Sequence, residues 1–405
     1  MFFKLSELSA ANARRDPIPI LKDLIAAGPV VESKIPILGK FRLATTYSAV
    51  DQVLRDRNRF VLQANNAGVG RRGDFIAWMP RPIRVLANNM LQKDEPDHRR
   101  LRGLSEIAFR RKNVNAMRDD IGELCDGLIG TLDQTQAVDF IDSFSRRLPL
   151  EVICDLLGLP QQDQPKFIKW MNGLTNASIP LGIVTAIPGI VKMNRYLRAR
   201  FAAERLDPVG GLISELVAAE EDGDKLSEEE LLAMTFILFV AGHETTTHLI
   251  TLSLLTLLQR PALREQWVQE PATRPSAVDE LLRYLSPVQF TKPRYVAEDT
   301  ELDGVPMHRG ERIFALLAAA NMDEAQFTDP AKIDFARQPN RHKGFGGGIH
   351  FCLGFQLAKL EVEIALTRIF ETFPNISLAA PEHELRWTTR PGIRSLKKLP
   401  VHLNG

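Results

Sequence analysis

The sequence predicts a single, mainly α domain with small β-sheets, and three observations carry that prediction. Leu231–Gly242 is almost wholly apolar, inside a helical stretch that opens at Ser227-Glu228-Glu229-Glu230 and runs to about Gln259, with Pro261 beyond it. A helix of that length is roughly 50 Å long and, being apolar all round, is buried by whatever wraps it. No tandem repeat, low-complexity linker or Pro/Ser-rich hinge divides the 405 residues. The strand-like pieces are short.

Composition bounds the function class. Apolar residues make up 44% and charged residues 25%, the proportions of an ordinary globular protein. A net charge of +1 argues against a general binder of nucleic acid or another polyanion and leaves room only for local basic patches. Cys125, Cys154 and Cys352 are widely separated and odd in number, which is no disulfide framework and suits a reducing cytoplasm. Cys125 and Cys154 lie in apolar helical surroundings and read as core. Met1-Phe2-Phe3-Lys4 is followed by no apolar signal core, so secretion is not expected. Met171–Val191 is uncharged and long, but Asn172, Asn176, Ser178, Pro180 and Pro188 fit a broken pair of helices better than a membrane span.

In chain order, residues 5–26 read as a polar lead-in and a short helix. Val30–Thr46 alternates loosely around Pro36 and Gly39 and predicts a small antiparallel sheet edge, followed by a short helix over Tyr47–Arg55. Val61–Leu91 is poorly periodic and studded with Gly68, Gly70, Gly73, Pro80 and Pro82. A loop that long is usually functional or disordered. Its Phe75, Ile76, Trp78, Met79 and Met90 are too apolar for disorder, so 61–91 is expected to fold as a lid over a binding site. Pro96 can open a helix that puts His98 and Arg102 on one face. Two helices are expected to about Leu157, before the break at Gly158 and Pro160. A helix near Gln162–Gly173 precedes the uncharged run, and an amphipathic helix is expected to resume over Lys192–Leu206. Ser276–Leu285 is another helix, and short strands follow around Tyr295-Val296, Val305-Pro306 and Arg312-Ile313-Phe314. Asn321–Asn340 is irregular; a helix to about Phe373 and closing strands and turns at Leu385–Leu399 complete the chain.

Two stretches carry candidate chemistry. In Phe345-Gly346-Gly347-Gly348-Ile349-His350-Phe351-Cys352-Leu353-Gly354, consecutive glycines stop regular structure just before a helix. A cysteine there lies where free N–H groups and the helix dipole favour a thiolate, a good axial ligand for a flat iron macrocycle. The plain alternative is a loop with an inert cysteine. The central helix holds Ala241-Gly242-His243-Glu244-Thr245-Thr246-Thr247-His248. Its histidines are five apart, about 140° around the helix, so they do not form a zinc-protease pair, which needs a spacing of four. Gly242 and a buried carboxylate are both costly inside a helix, and the threonines can bond back to carbonyls and open it locally. A hydroxyl plus an acid beside a notch at Ala241 and Gly242 can hold a small ligand and move protons; the plain alternative is a polar cluster inside the helix, satisfied by its neighbours. Glu280 and Arg283 form an i,i+3 pair among leucines.

Taken together these motifs resemble those of the soluble bacterial cytochromes P450, over the whole chain. The resemblance implies one haem-thiolate catalytic domain over residues 1–405, with haem b between the long central helix and the Cys-loop helix. It makes Cys352 the iron ligand, and Glu244 and Thr245 the acid–threonine pair of oxygen activation. Phe345, Gly354, Ala241 and Gly242 would lie against the haem, and His98, Arg102, Arg294 and His350 would bind its propionates. Glu280-Leu281-Leu282-Arg283 matches the Glu-x-x-Arg motif, with Arg337 as its partner. Two departures are Met322 in Asn321-Met322-Asp323, where the family usually has Arg, and Ile333-Asp334-Phe335, which shifts the usual Phe-Asp pair.

The function implied is O2-dependent hydroxylation of a small apolar organic substrate by a cytoplasmic monomer. Residues 355–405 are taken up by closing elements, so electrons are expected from a separate acidic ferredoxin, steered by Arg99, Arg110, Arg111, Lys112, Arg341 and Lys343. Substrate selection is expected from the lid at 61–91, the mobile access region at 171–191, and Phe75, Trp78, Leu174, Ile179, Leu181, Ile183, Val240, Val288, Phe290 and Ile393. Arg71, Arg72, Arg81 or Arg84 would catch a substrate carboxylate, if there is one. Oxidative coupling or desaturation by the same oxidant, and a non-catalytic haem sensor or carrier, are the alternative readings.

Overall fold

The structure, a computed structural model, describes residues 2–3, 7–8, 10–35, 39–70, 80–106, 108–175, 181–221 and 226–405, the side chains of 2, 35, 111–112, 171–175, 181–185 and 221 excepted. The chain opens with β1 (Phe2–Phe3), α1 (Ala11–Arg15), α2 (Ile18–Ala26), β2 (Val30–Ile35), β3 (Gly39–Ala44), α3 (Tyr47–Arg55), β4 (Phe60–Val61) and α4 (Arg81–Leu86). A helical middle follows: α5 (Asp97–Glu106), α6 (Arg111–Ala116), α7 (Arg118–Gly130), the short β5 (Val138–Asp139), α8 (Arg147–Leu157), α9 (Gln164–Thr175), α10 (Leu181–Leu206) and α11 (Leu212–Glu221). Then come α12 (Glu228–Gln259), α13 (Pro261–Gln269), α14 (Arg274–Leu285), β6 (Arg294–Val296), β7 (Thr300–Leu302), β8 (Val305–Met307), β9 (Arg312–Ala315), α15 (Leu317–Ala320), α16 (Phe355–Thr372), β10 (Ser377–Leu378) and β11 (Pro400–His402).

The main sheet has the strand order β1-β2-β3-β9-β6-β4. β2 and β3 pair antiparallel (Val30↔Ala44) and β3 runs parallel to β9 (Leu43↔Phe314). Alternation along β3 sends Phe41 and Leu43 into a core shared with α2, while Arg42 faces outward to Glu311.

α12 starts where its sequence says it should. The Ser227 hydroxyl accepts from Glu230 N at 3.3 Å, and Ser227 N donates to the Glu230 carboxylate at 2.9 Å, a complete capping box. The helix then runs 32 residues and serves two hydrophobic cores. Leu231, Met234 and Phe239 pack with α8, α10 and α11, whereas Leu249, Ile250 and Leu254 pack with α7, α14 and α16. The stretch from Ala241 to Thr247 lies where the rod passes from one core to the other. Among the described residues no helix is long and apolar enough to cross a membrane.

Three expectations need correction. After α5, which forms where Pro96 is expected to open a helix, the chain to Leu157 makes three helices, α6 to α8, with a π turn at Ile141–Ser145, where two are expected. The lid region 61–91 contains helical turns at Ala64–Ala67 and Met90–Gln92 as well as α4; residues 71–79 lie outside the described part. α10 begins at Leu181 rather than Lys192 and continues through Pro188. Proline there removes one helical hydrogen bond, but Gly189 presses against the Trp170 carbonyl of α9, so the helix is held by its neighbour.

Candidate active site

The Cys loop is shaped by glycine. Gly346 (φ 73°) and Gly348 (φ 64°) take left-handed backbone, and a Cβ on Gly348 would run into the Leu54 carbonyl of α3. Cys352 N donates to Phe345 O at 3.0 Å and closes the loop just ahead of α16. Helix-terminal stabilisation alone does not ionise the sulfur. Burial pushes the Cys352 thiol up to about 11, although the Gly354 N–H at the sulfur and the nearby Arg102 pull the other way. A thiolate here therefore calls for a further positive charge at the sulfur itself.

Across a shared cavity stands α12. Ala241, Gly242, Thr245 and Leu249 face Phe345, Gly346, His350, Cys352 and Gly354, with Leu357 and Glu361 of α16 alongside. The threonines do bond back, Thr245 to Ala241 O at 2.9 Å, Thr246 to Gly242 O at 3.2 Å and Thr247 to His243 O at 2.8 Å, yet the helix stays unbroken. The space left at Gly242 is taken by Ile153 of α8, 2.9 Å from where a Cβ would be. His243 is buried and donates Nδ1–H to Phe239 O at 2.8 Å, a core histidine rather than a ligand.

The rim of the cavity is positive. His98 and Arg102 lie on one face of α5, as the spacing predicts, and both line the cavity with His350. The two imidazoles meet edge to face, 4.3 Å between centroids, and none of their four ring nitrogens has a partner among the described residues. Burial, then His98, Arg294, Lys292 and Arg102 in that order, pushes His350 down to about 2. Arg294, 3% exposed, gives one bond to Phe60 O at 3.2 Å, and burial lowers it to about 10. Arg102 meanwhile holds the Cys loop through Phe351 O at 2.8 Å. Asp94, whose charge acts on Arg294, is already engaged by Leu62 N, Gln63 N and Asn66.

Buried cations and orphaned imidazoles need an anion. Among the described residues no group of three His, Cys, Asp or Glu side chains converges on an ion position, so a metal here must bring most of its own ligands. A flat, dianionic macrocycle with a cation at its centre fits the glycine loop, the lone sulfur and the positive rim together.

A sequence model of the family described as Cytochrome P450 matches residues 203–274 and 275–390. Cytochrome P450 107B1 of Saccharopolyspora erythraea is 38% identical over 367 residues, 89% of this chain and 88% of that one. The chain is a cytochrome P450. Vitamin D(3) 25-hydroxylase of Pseudonocardia autotrophica is 36% identical over 98% of this chain and 96% of its own. The crystal structure of the myxobacterial cytochrome P450 CYP267B1 in complex with myristic acid superposes with a TM-score of 0.90, at 36% identity and 98% coverage of both chains. Family membership implies haem b as the cofactor.

Other predicted residues of this P450 fall into place unevenly. Glu280, fully buried, binds Arg283 Nε at 2.8 Å and Nη2 at 2.7 Å, Arg337 Nε at 3.1 Å and Asn340 at 3.2 Å, while Arg283 Nη1 reaches Asn321 O and Pro330 O. That network pins residues 321–340 onto α14. Both departures from the family pattern pack into core: Met322 is 2% exposed, and Phe335 stacks edge-on to Trp267 at 6.5 Å. Glu244 does not stand on the cavity wall but pairs with Arg390. Of the substrate candidates, Val288 is on the wall, Val240 packs against the α8–α11 core, Ile393 bridges Val288, and Phe290 turns to Phe314, 5.6 Å between centroids. Phe75, Trp78, Ile179, Arg71, Arg72 and the side chains of Leu174, Leu181 and Ile183 lie outside the described part.

The basic patch also needs correction. Lys343 is 5% exposed, pairs with Asp51 and sits over the Tyr47 ring at 4.4 Å, so it faces no partner. Arg110 and Arg341 are exposed; Arg99 is exposed beside Glu95 at 3.5 Å. The sequence reading missed Glu361, which is 2% exposed on the same cavity with Oε2 unpartnered and its pKa raised well above the usual carboxylate range by burial. Its only signal was a carboxylate between Leu360 and Val362 on a helix face that the Cys loop opens.

Proposed function

We propose that this cytochrome P450 inserts one atom of O2 into a small apolar organic molecule, as a cytoplasmic monomer that takes its electrons from a separate acidic ferredoxin. The observation that carries the reading is Cys352 facing the Ala241–Thr245 wall of α12 across one cavity, with the positive rim at its side. When bound, the haem supplies the activation of O2 and the oxidant that attacks the substrate. Cys352 would hold the iron through its sulfur, and the Gly354 N–H donated to that sulfur would moderate its electron donation. Thr245, whose hydroxyl donates to Ala241 O, keeps its lone pairs to accept from a water at the notch and would give that water its own proton only by turning away from the carbonyl. Glu244, the next residue toward the N-terminus, would supply the protons that this water passes on.

The remaining wall favours an apolar guest. Met90, Ile153, Ile237, Leu238, Val288 and Leu317 line it, and each apolar Å² removed from water contributes about 25 cal/mol. Relatives carry names such as Mycinamicin IV hydroxylase/epoxidase and Steroid C26-monooxygenase, and CYP109E1 was solved in complex with testosterone, which supports bulky apolar substrates here too. Selection among them is assigned to 61–91 and 171–191. The exposed arginines Arg110 and Arg341 would steer the ferredoxin.

The test is the absorbance of the reduced, CO-bound protein, followed by a panel of steroids, macrolides and fatty acids scored by the low-spin to high-spin shift. A thiolate-type band that is lost in Cys352→His, together with a shift for at least one apolar compound, is the expected result. Haem bound with the same spectrum in Cys352→His would overturn the assignment.

A further inference from the structure

The first helix and the turn at residues 390–394 are tied together by two buried arginines that the function above does not use. Arg14, fully buried, sends its guanidinium to the carbonyls of Arg390 and Ile393 and bonds the Gln289 side chain at 3.2 Å. Arg394 reaches back the other way. Its Nε donates to Arg14 O at 2.8 Å, its Nη2 to Arg15 O at 2.9 Å, and its guanidinium lies over Trp387, 4.8 Å from the ring centre. The carbonyls at the end of α1 are thus satisfied by a cation from the turn, and the turn's carbonyls by a cation from α1. Burial lowers both arginines to about 10, so both remain charged at neutral pH and keep those bonds charge-assisted.

What stands on that turn is Arg390, the partner of Glu244. The Glu244 side chain is only 11% exposed and that of Arg390 30%, so their attraction is screened less than in a surface pair. An unpaired glutamate on α12 would sample several rotamers. Paired to a residue whose backbone is clamped, it has one favoured resting rotamer. The other charged or titratable groups near it are His243 and His248 on α12 and Arg146 ahead of α8; burial keeps both histidines neutral, so Arg390 is its direct charged partner. The same turn bridges Ile393 to Val288 on the cavity wall.

We propose that Arg390 is a positioning residue for Glu244, and that Arg14 holds Arg390 in place, so that α1 sets the geometry of the proton donor from the far end of the chain. The pair parks the carboxylate beside the cavity, from which it turns toward Thr245 when a proton is needed. The inference rests on Glu244 acting as that donor.

The experiment uses the haem-loaded enzyme with NADH, a surrogate ferredoxin and its reductase, read with and without myristic acid as the probe. Hydrogen peroxide released per NADH is measured for wild type, Arg390→Met, Arg390→Lys, Arg14→Met, Arg14→Lys, Glu244→Gln and the doubles with Glu244→Gln. The reduced CO spectrum confirms that each variant is folded and loaded. Arg390→Met is expected to raise peroxide per NADH about threefold, part of the roughly 10²–10⁴ that a positioned proton donor contributes. Arg390→Lys should restore most of the coupling. Arg14→Lys, which keeps the charge but cannot fork between two carbonyls, should fall between wild type and Arg390→Met, even if Arg14→Met does not fold. In the Glu244→Gln background none of these changes should matter further, an outcome that a general loss of packing would not give. Coupling unchanged in Arg390→Met, or effects that add to those of Glu244→Gln, would overturn the proposal. If Glu244→Gln alone leaves peroxide unchanged, the donor role itself falls and takes this inference with it.

Discussion

Gly242→Ala measures how closely α12 rests on α8. In an open helix the change would stabilise by about 1 kcal/mol, because alanine costs less backbone entropy than glycine. Here the new Cβ would lie 2.9 Å from Ile153 Cδ1 and 3.0 Å from Cγ1, inside the distance real Cβ atoms keep. Ile153 is 1% exposed, and the side open to it is the cavity it lines. Overpacking of this kind costs about 1–3 kcal/mol, so the steric cost outweighs the propensity gain and the variant should lose about 0–2 kcal/mol. Ile153→Val removes Cδ1, the nearer of the two clashing carbons, leaves Cγ1 as a methyl freer to shift, and alone should cost about 0.5–1.5 kcal/mol. The double variant should therefore be more stable than the sum of the singles predicts, by about 1 kcal/mol. Urea unfolding followed by helical circular dichroism gives the four stabilities. Spin-shift titration with testosterone gives the cavity's side of the effect: weaker binding in Gly242→Ala and recovery in the double. Strict additivity, with Gly242→Ala more stable than wild type, would show that the two helices do not meet at this point.

Arg283→Met should be far more damaging than a surface change, because Glu280 loses its nearest cation and the carbonyls of Asn321, Pro330 and Lys332 lose their donor. Breaking such a buried pair costs about 3–5 kcal/mol, and Glu280→Gln, which keeps its shape and one acceptor, should cost less; the urea midpoints decide the order. Stability should also fall on the acid side through histidine. His243 and His248 are both held below their usual value of 6.5 by burial, His248 at about 4. Below pH 6.5 the unfolded chain takes up protons that the folded chain refuses, so stability present above that pH is lost as pH falls toward 4, by about 3 kcal/mol for His248. A urea series across pH 4–7 should show that slope flatten in His248→Gln; an unchanged slope would remove His248 as its source.

Much of the site was legible because its parts obey local rules. A capping box, a run of leucines and a proline fixed the ends of α12 without reference to anything distant. His98 and Arg102 share a face because helical spacing puts them there, and Cys352 follows glycines because glycine takes the left-handed backbone at Gly346 and Gly348 without strain. Resemblance to a family then joined motifs that spacing could not join.

What the chain order could not tell was which distant group meets which. Nothing near Glu244 in sequence announces Arg390, and nothing near Arg390 announces Arg14; the pairing exists only once α1 lies against the last turn. Lys343 reads as a surface charge until Asp51 and Tyr47 enclose it, and Glu361 as an ordinary helical acid until the cavity closes around it. α10 passes straight through Pro188 because α9 supports it. Backbone propensity and side-chain periodicity act over a few residues and are written in the sequence directly, whereas burial and charge pairing depend on which surfaces the fold brings together.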